Sequence, residues 1–190
     1  LPAFRELRPM IASSWEAAFD DPDWAFEIKW DGYRALVFIG PDGTELRSRS
    51  GRNMTAAYPL LADLRRATLA QEVVLDGEIA VLDEQGRAVF QDLQSGRGPV
   101  TFVAFDVLYI DGEWLHDRPW DERRRRLEAV LSPEGPPRVI LPEYVEGTGR
   151  ALFGAIATRG GEGIVAKRRT SAYQAGRRSP DWRKVKVRHE

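Results

Sequence analysis

Explicit turn sequences separate short, alternating apolar segments along this 190-residue chain. Pro41-Asp42-Gly43 and Asp111-Gly112 each end a segment rich in β-branched residues, and residues 83–86 (DEQG) end another. Asp-Gly and related dipeptides favour tight turns, and a two-residue alternation is typical of half-buried strands. The chain is therefore expected to fold mainly as antiparallel hairpins.

The alternation predicts strands near residues 25–30, 33–40, 44–49, 72–82, 100–110, 138–144, 162–169 and 182–188. Helical spacing appears at residues 58–70, 119–131 and 149–160. Hairpins with interspersed helices indicate the α+β class, with antiparallel or mixed β-sheets flanked by helices. A doubly wound dinucleotide fold is disfavoured because no glycine-rich turn links a strand to a helix, and the sequence has no Walker-type loop.

The composition excludes several kinds of site. The chain has no cysteine, which rules out disulfides and thiolate metal sites. Its only histidines, His116 and His189, disfavour a histidine-rich zinc site or a Ser/His/Asp triad. The longest purely apolar run, Ala35 to Ile39, is far too short to span a membrane, so we expect a cytoplasmic protein with no membrane contact.

The net charge of -1 conceals a strong asymmetry. Between Arg159 and Glu190 there are ten Lys/Arg against three Asp/Glu, so this segment carries +7 and the preceding residues carry -8. The basic segment also contains Tyr173 and Trp182. Such a segment is either a solvated face or a phosphate-binding surface.

One short segment bears directly on chemistry. EIKWDGYRAL, residues 27–36, places Lys29 just before Asp31, Gly32 and Arg34. By itself this is either a hairpin with a solvated lysine or the setting of a nucleophilic lysine.

Charged residues recur in the same way at the ends of other apolar strands. The segments are RSRSGR (47–52), LDGEIAVLD (75–83), FVAFDVLYIDG (102–112), GEGIVAKRR (161–169) and DWRKVKV (181–187). In this order they resemble the motifs of the covalent nucleotidyltransferase superfamily, which comprises DNA ligases, RNA ligases and mRNA capping enzymes. KWDGYR matches the K-x-D-G-x-R signature, and the resemblance extends from about Pro9 to Val187. Within the superfamily the motifs are most similar to bacterial ATP-dependent DNA ligases of the end-joining type.

This resemblance implies one ATP-grasp-like adenylation (nucleotidyltransferase) domain over residues 1–190, with Lys29 as its catalytic residue. Lys29 would attack the α-phosphate of ATP to form ligase-AMP, AMP would pass to a DNA 5′-phosphate, and a 3′-OH would seal the nick. A lysine amine attacks only when uncharged, which costs roughly 4 kcal/mol at neutral pH unless the site helps. Desolvation by Ile28 and Trp30, with Arg34 and a divalent metal nearby, would provide that help.

The resemblance also implies the contacts of the nucleotide. Arg34 and Arg49 would hold its phosphate and ribose region, for which forked arginine contacts are suited. Glu78 would accept a hydrogen bond from a ribose hydroxyl. Phe105 would stack on adenine, although a core phenylalanine would explain this position equally well. Glu27 would lie near the exocyclic amine of adenine and help to choose ATP over GTP.

The remaining implied residues concern the phosphates and the metal. Ile28 belongs to the nucleotide-binding set beside Lys29. Glu162, together with Glu78, would place Mg²⁺ or Mn²⁺, because hard cations prefer carboxylate and phosphate oxygens. Lys184 and Lys186 would neutralise the α-phosphate as charge develops on it.

Other charged residues are expected to serve the fold. The arginine run 123–126 is predicted to form a solvated helix face rather than a DNA site. Asp76 and Asp106 stand within apolar strands and are assigned to structure first, with metal contact as the alternative.

Ligases of this family normally continue into an OB-fold domain with a further basic motif. The sequence begins at Leu1 and stops at Glu190, directly after the last lysine motif. The expectation is an isolated adenylation domain, with the OB-fold domain absent. It would bind ATP or retain AMP, seal nicks poorly by itself, and bind DNA weakly and in a salt-sensitive way.

The expected partner is nicked or broken double-stranded DNA, with a Ku-type end-binding protein as a candidate recruiter and a monomer as the expected state. The alternatives within the enzyme class are an RNA ligase and an mRNA capping guanylyltransferase. An alternative of another class is a catalytically silent nucleic-acid-binding module that uses the basic segment. In that module Lys29→Ala would leave every measured activity unchanged.

Overall fold

In the computed structural model, which describes residues 2–134 and 138–188, the strands form two separate sheets. The first has the order β1 (Ile11–Ser14), β11 (Arg178–Lys186), β10 (Gly163–Arg168), β2 (Asp20–Ile28) and β9 (Tyr144–Thr148). The second has the order β4 (Gly43–Ser48), β3 (Tyr33–Gly40), β5 (Val73–Val81), β6 (Val100–Ile110) and β7 (Glu113–Trp114), and β8 (Val139–Ile140) also pairs with β6. Leu1, His189 and Glu190, which entered the sequence analysis, lie outside the described residues.

Most strand pairs are antiparallel, whereas β1 with β11 and β6 with β8 are parallel. The described helices are α1 (Pro2–Glu6), α2 (Phe90–Ser95), α3 (Trp120–Val130) and α4 (Gly149–Thr158). Two mixed sheets with few helices confirm the predicted α+β class. A membrane-spanning helix, which would have to be both long and apolar, does not occur in the described ranges.

Within the described residues, the chain crosses between the sheets at two places. One crossing is the segment 29–32 between β2 and β3, and the other is the segment 141–143 between β8 and β9. Both crossings therefore lie where the two sheets meet.

The expected helix at residues 58–70 is wrong. The structure has three short 3₁₀-helices there and just before it, namely Thr55–Ala57, Pro59–Leu61 and Leu64–Ala67. The buried side chains Leu61, Leu64, Ala67 and Ala70 recur at every third residue. A 3₁₀-helix has three residues per turn, so this spacing keeps Leu64 and Ala67 on one face of their helix, whereas an α-helix of 3.6 residues per turn would rotate them apart.

The predicted strands and turns agree closely with the structure over most of the chain. β3 and β6 have the predicted bounds, and α3 and α4 match the other two predicted helices within two residues. The turn at Asp111 and Gly112 has positive φ at both positions, 44° and 93°, as a tight two-residue hairpin turn requires. The strand predicted at 138–144 is instead the separate strands β8 and β9, and β11 begins at Arg178 because its first residues pair with β1.

Among the residues that the structure describes, three apolar clusters hold the two sheets and the helices together. The outer face of the second sheet packs against the 3₁₀-helices and α3, and the outer face of the first sheet packs against α4. A third cluster, which includes Leu36, Leu108, Tyr173 and Trp182, lies between the sheets. Where the sheets separate, charged side chains such as Arg34, Glu78 and Lys184 join the apolar ones at the inward-facing positions.

The arginine run on α3 is not a solvated face, so that prediction is wrong for its first two members. Arg123 is fully buried and Arg124 is 4% exposed, whereas Arg125 is exposed. Arg123 forms a forked pair with the buried Asp106, with Nε to Oδ1 at 2.9 Å and Nη2 to Oδ2 at 3.0 Å. Its Nη1 also donates to the carbonyl oxygen of Ser171. Asp106 thus has the structural role that the sequence analysis gave it first.

Candidate active site

A cavity of about 880 Å³ opens between the two sheets. Alternation along each strand directs every second side chain into it. Its lining comes from both sheets and from both crossings and includes Glu27, Ile28, Lys29, Trp30, Gly32, Arg34, Arg49, Arg52, Glu78, Phe105, Pro142, Val165, Lys167, Trp182 and Lys184. Most of the residues singled out from the sequence therefore surround one cavity, while Glu162 and Lys186 lie beside it.

Lys29 stands directly after β2 and is tied to the neighbouring strand. Its backbone N–H donates to the carbonyl oxygen of Gly163 at 2.9 Å. Its Nζ lies 3.3 Å from Oε2 of Glu162, and the Lys29 side chain is 21% exposed. The amine is thus partly desolvated and has a carboxylate beside it.

The turn after Lys29 presses closely against β5. A Cβ atom on Gly32 would lie 2.0 Å from the carbonyl oxygen of Ile79 and 3.2 Å from Cγ of Glu78. No residue other than glycine fits this approach without a backbone shift. The glycine of the KWDG segment thereby brings the lysine to the strand that carries Glu78.

Glu78 is the most strongly perturbed carboxyl group lining the cavity. Burial raises its pKa to about 7, and the negative charges of Asp76 and Glu162 act in the same direction, against Arg34 and Lys29. A carboxyl group that titrates near neutral pH in a cleft is a common property of functional sites. Burial and the nearby Glu162 also raise the pKa of Asp31, in the same turn as Gly32.

Arg34 does not direct its fork at the cavity, in contrast to the phosphate or ribose contact that the resemblance implied. Its Nε and Nη2 each donate to the carboxylate of the buried Asp76 at 2.7 Å, and Nη2 also donates to the carbonyl oxygen of Met10. Although burial opposes its charge, the contact with Asp76 raises the pKa of Arg34. Tyr173 completes this network by donating to Asp76 at 2.6 Å. Arg34 and Asp76 stand on neighbouring strands of the second sheet, and Met10 and Tyr173 link this network to the segments that lead into β1 and β11 of the first sheet.

A second group of side chains forms the inner end of the cavity. Glu27 is 3% exposed, and its Oε2 lies 2.7 Å from Nζ of Lys167. The same Nζ lies 4.2 Å from the ring centre of Phe105 and 4.3 Å from that of Trp182. Phe105 is partly buried and belongs to the wall of the cavity. This end combines aromatic surface with a few fixed polar groups, as pockets for small molecules commonly do.

Positive charge collects at the other end. Burial lowers the pKa of Lys184, and so do the neighbouring charges of Lys186, Arg178, Lys29 and Arg49. Arg49 is exposed at the rim of the cavity, and Lys186 is exposed beyond it. Four cations around one lysine repel one another, and an anion such as a phosphate would relieve that repulsion.

The residues suited to a divalent metal are the carboxylates around Lys29. Within residues 2–134 and 138–188 no cluster of three or more His, Cys, Asp or Glu side chains could hold a metal ion by itself. Glu78 and Glu162 both influence Lys29 and each other through space. Two carboxylates suit Mg²⁺, which is commonly bound by one or two such groups together with substrate phosphates.

Two parts of this site lacked an assigned role in the sequence analysis. Lys167 stood in the quoted GEGIVAKRR segment, and its alternation with Val165 could have placed it on the inward face of its strand. Arg124 gave a weaker signal because a run of four arginines on a helix is usually solvated. Trp182 was assigned to a possible phosphate-binding surface, whereas the structure buries it between the sheets.

Comparison with known proteins agrees with this architecture. A model of the ATP dependent DNA ligase domain matches residues 9–186. The multifunctional non-homologous end joining DNA repair protein LigD of Mycobacterium tuberculosis is 43% identical over 189 residues, which are 98% of this chain and 24% of that protein. LigD of Pseudomonas aeruginosa is 39% identical over 169 residues, 86% of this chain and 20% of that protein.

The solved structures extend the comparison to three dimensions. The ligase domain of M. tuberculosis LigD superimposes with a TM-score of 0.83 at 42% identity, over 96% of this chain and 60% of that chain. A mycobacterial DNA ligase D complexed with ATP and MES gives the same TM-score and covers 61% of that chain. The shared architecture is the nucleotidyltransferase fold. The present chain belongs to the family of ATP-dependent DNA ligase domains. It spans only about a quarter of the length of the curated LigD relatives.

Proposed function

We propose that this domain transfers AMP from ATP to Lys29 and then to the 5′-phosphate of a nicked or broken DNA duplex, which a 3′-OH seals. The observation that carries the proposal is the position of Lys29, between a pocket suited to a nucleobase and a cluster of cations suited to phosphates. The family of the chain supports the same reaction.

In the first step the Nζ lone pair of Lys29 forms a bond to the α-phosphorus of ATP. The bond from that phosphorus to the bridging oxygen of the β-phosphate breaks, and pyrophosphate leaves with the electron pair. The amine loses a proton, which solvent or a neighbouring carboxylate accepts. The product is a phosphoramide in which AMP is joined to Lys29.

The residues around Lys29 would orient the nucleotide for this step. Glu27 and Phe105 would contact the adenine, and Glu78 would accept a hydrogen bond from the ribose. Lys184 and Arg49 would balance the charge of the phosphates, with Lys186 at the outer rim. Ile28 would contribute as part of the wall beside Lys29.

Glu78 and Glu162 are the side chains that would hold Mg²⁺ or Mn²⁺, which would supply positive charge beside the phosphate oxygens. Glu162 also lies close enough to Lys29 to accept a proton from its amine, at 3.3 Å. Either use of Glu162 explains why a carboxylate is placed against the proposed nucleophile.

The wider setting is proposed from the relatives. The end-joining function named for the LigD proteins supports broken duplex DNA as the substrate and a Ku-type end-binding protein as a partner. We propose that residues 1–190 act as one adenylation domain, that the domain is monomeric, and that it works in the bacterial cytosol, where the chromosome lies.

The test is mass spectrometry of the chain after incubation with ATP and a divalent metal. The expected result is a gain of one adenylyl group, located on Lys29 by peptide sequencing and absent from Lys29→Ala. Competition of ATP against GTP distinguishes a ligase from a capping guanylyltransferase, and nicked DNA against nicked RNA distinguishes a DNA ligase from an RNA ligase. Unchanged DNA binding with no adduct on Lys29 under any nucleotide would instead indicate a silent binding module.

A further inference from the structure

An arginine from α3 reaches the inner end of the cavity, although α3 packs on the outer side of the neighbouring sheet. The Arg124 side chain is 4% exposed, and its Nη1 lies 3.6 Å from Oε1 of Glu27. Its Nη2 donates to the carbonyl oxygen of Pro142 and its Nε donates to Glu128. Its guanidinium also lies 4.8 Å from the ring centre of Tyr144. These contacts hold Arg124 in one orientation from several sides.

The two oxygens of Glu27 are in different situations. Oε2 is paired with Lys167 at 2.7 Å, whereas Oε1 has no hydrogen-bond partner among the described residues and is buried. Nη1 of Arg124, which faces it at 3.6 Å, also lacks a hydrogen-bond partner there. A buried carboxylate oxygen without a hydrogen bond is costly. Because Glu27 lines the cavity, a ligand that donates a hydrogen bond to Oε1 would remove this cost.

The chemistry of the acceptor defines which ligand fits. A carboxylate accepts hydrogen bonds and donates none. The 6-amino group of adenine is a donor, whereas the 6-oxygen of guanine or hypoxanthine is an acceptor. A fixed carboxylate at this point would attract the 6-amino group of adenine and repel the 6-oxygen of guanine or hypoxanthine.

We propose that Arg124 is a positioning residue that determines the choice of nucleobase. It does so by fixing Oε1 of Glu27 toward position 6 of the purine, while Lys167 fixes Oε2. Without Arg124 the carboxylate keeps only the Lys167 contact and can rotate about it, so that its free oxygen no longer opposes a 6-oxo group. This inference rests on the proposed function, since it assigns the inner end of the cavity to the base of ATP.

The experiment compares ATP with ITP, which carries a 6-oxo group in place of the 6-amino group. Calorimetric binding to the full chain is measured without a divalent metal, so that no AMP is transferred, for the wild type, Arg124→Met and Arg124→Lys. Arg125→Met, an exposed position on the same helix, is the matched control. We expect Arg124→Met to reduce the ratio of ATP affinity to ITP affinity about tenfold, which corresponds to about 1.4 kcal/mol. Arg124→Lys should keep part of the ratio, and Arg125→Met all of it.

If Arg124 had only a structural role, Arg124→Met would weaken the binding of ATP and ITP equally and leave the ratio of their affinities unchanged. That result in a folded variant would overturn the inference. If Arg124→Met does not fold, Arg124→Lys carries the test, because its amine cannot contact Pro142, Glu128 and Glu27 with a fixed fork, and it should lower the ratio by a smaller factor. An unchanged ratio in that variant would also count against the inference. Since binding is measured without transfer to Lys29, a wild type that discriminates the bases yet forms no adduct refutes the proposed reaction and leaves this inference intact.

Discussion

The side-chain nitrogen of Lys29 lies 3.3 Å from a carboxylate oxygen of Glu162, and the backbones beside them are joined by the hydrogen bond from Lys29 to Gly163. The two residues flank adjacent antiparallel strands, so the register of β2 against β10 fixes their separation. The proposed nucleophile is thus positioned by the pairing of β2 with β10 as well as by the turn that follows it.

Replacing Lys29 should abolish the reaction without damaging the fold. Lys29→Ala removes the attacking nitrogen, and Lys29→Arg retains the charge but replaces the amine with a guanidinium, which stays protonated. Both variants should form no AMP adduct by mass spectrometry. Their free energy of unfolding should change by less than about 1 kcal/mol, because partly exposed ion pairs contribute little. An adduct on Lys29→Ala at another residue would refute the assignment.

Replacing Gly32 and Gly154 with alanine should have opposite effects on the stability of the protein. Gly32→Ala would place a methyl group 2.0 Å from a backbone oxygen of the central strand β5, so it should destabilise the fold and reduce formation of the AMP adduct. Gly154 lies on the exposed side of α4, where an added methyl group would meet no other atom within 4 Å, and Gly154→Ala should stabilise the protein by about 0.5–1 kcal/mol. Urea unfolding measures both, and equal effects would contradict the close approach at Gly32.

The carboxyl group of Glu78 should make stability depend on pH. Its pKa in the folded protein is about 7, raised by burial from an ordinary 4.5. The folded state therefore binds the proton more tightly than the unfolded state, and stability falls as the pH rises from about 4.5 through 7. Glu78→Gln removes this dependence and should be more stable than the wild type at pH 8.5 by about 2 kcal/mol, with a smaller difference at pH 5.

Urea unfolding of the nucleotide-free and metal-free protein at the two pH values checks this expectation. Glu84→Gln, in the exposed turn after β5, is the matched control and should leave the pH profile unchanged. Parallel profiles for the wild type and Glu78→Gln would show that burial does not perturb this group.

The buried pair of Arg123 and Asp106 should be costly to break. Arg123→Met leaves the Asp106 carboxylate without its forked partner in the core and should destabilise the protein by about 3–5 kcal/mol. The double variant Arg123→Met with Asp106→Leu removes both charges and should recover most of that loss. Arg125→Met should change the free energy of unfolding by less than about 0.5 kcal/mol. A small effect of Arg123→Met would mean that the pair is hydrated.

The cation cluster around Lys184 should bind the phosphates of ATP. Lys184→Ala should weaken ATP binding about tenfold and make it less sensitive to salt, since one phosphate contact is lost. Arg66→Ala, at an exposed position among the 3₁₀-helices, should change neither quantity. Calorimetry at two salt concentrations provides the comparison, and an unchanged salt dependence in Lys184→Ala would argue that the phosphates lie elsewhere.

The strands and turns could be predicted because their signals are local. Alternation and Asp-Gly turns set the bounds of β3, β6 and the hairpin at Asp111 within the chain segment itself. Helix propensity alone does not distinguish the 3₁₀-helices from an α-helix. The three-residue spacing of their apolar side chains selects the 3₁₀ form only when the second sheet is there to bury those side chains. The short strand β1 was missed because it forms only by pairing with β11, far away in sequence.

The residues of the candidate site also fall into those that local sequence patterns indicate and those that only tertiary contacts define. The motifs brought Lys29, Glu27, Glu78, Phe105 and Lys184 to one cavity, and the structure agrees with that grouping. The partners that these side chains take are set by tertiary contacts. Asp76 accepts two hydrogen bonds from the guanidinium of Arg34. Arg124 lies next to Glu27, although the sequence pattern of its helix predicted only solvent contact. Such pairs join distant segments, so no local pattern could have indicated them.

The described chain passes between the sheets at residues 29–32 and 141–143, so a rotation of one sheet against the other would have these two segments as its axis. A rotation of one sheet against the other about this line would displace the rim, where Arg49 lies, far more than the residues on the axis itself. Lys29 and Pro142 both belong to that axis. The Nζ atom of Lys29 would therefore keep its position while the opening of the cavity widens or narrows. Ligand entry would then change without moving the attacking atom.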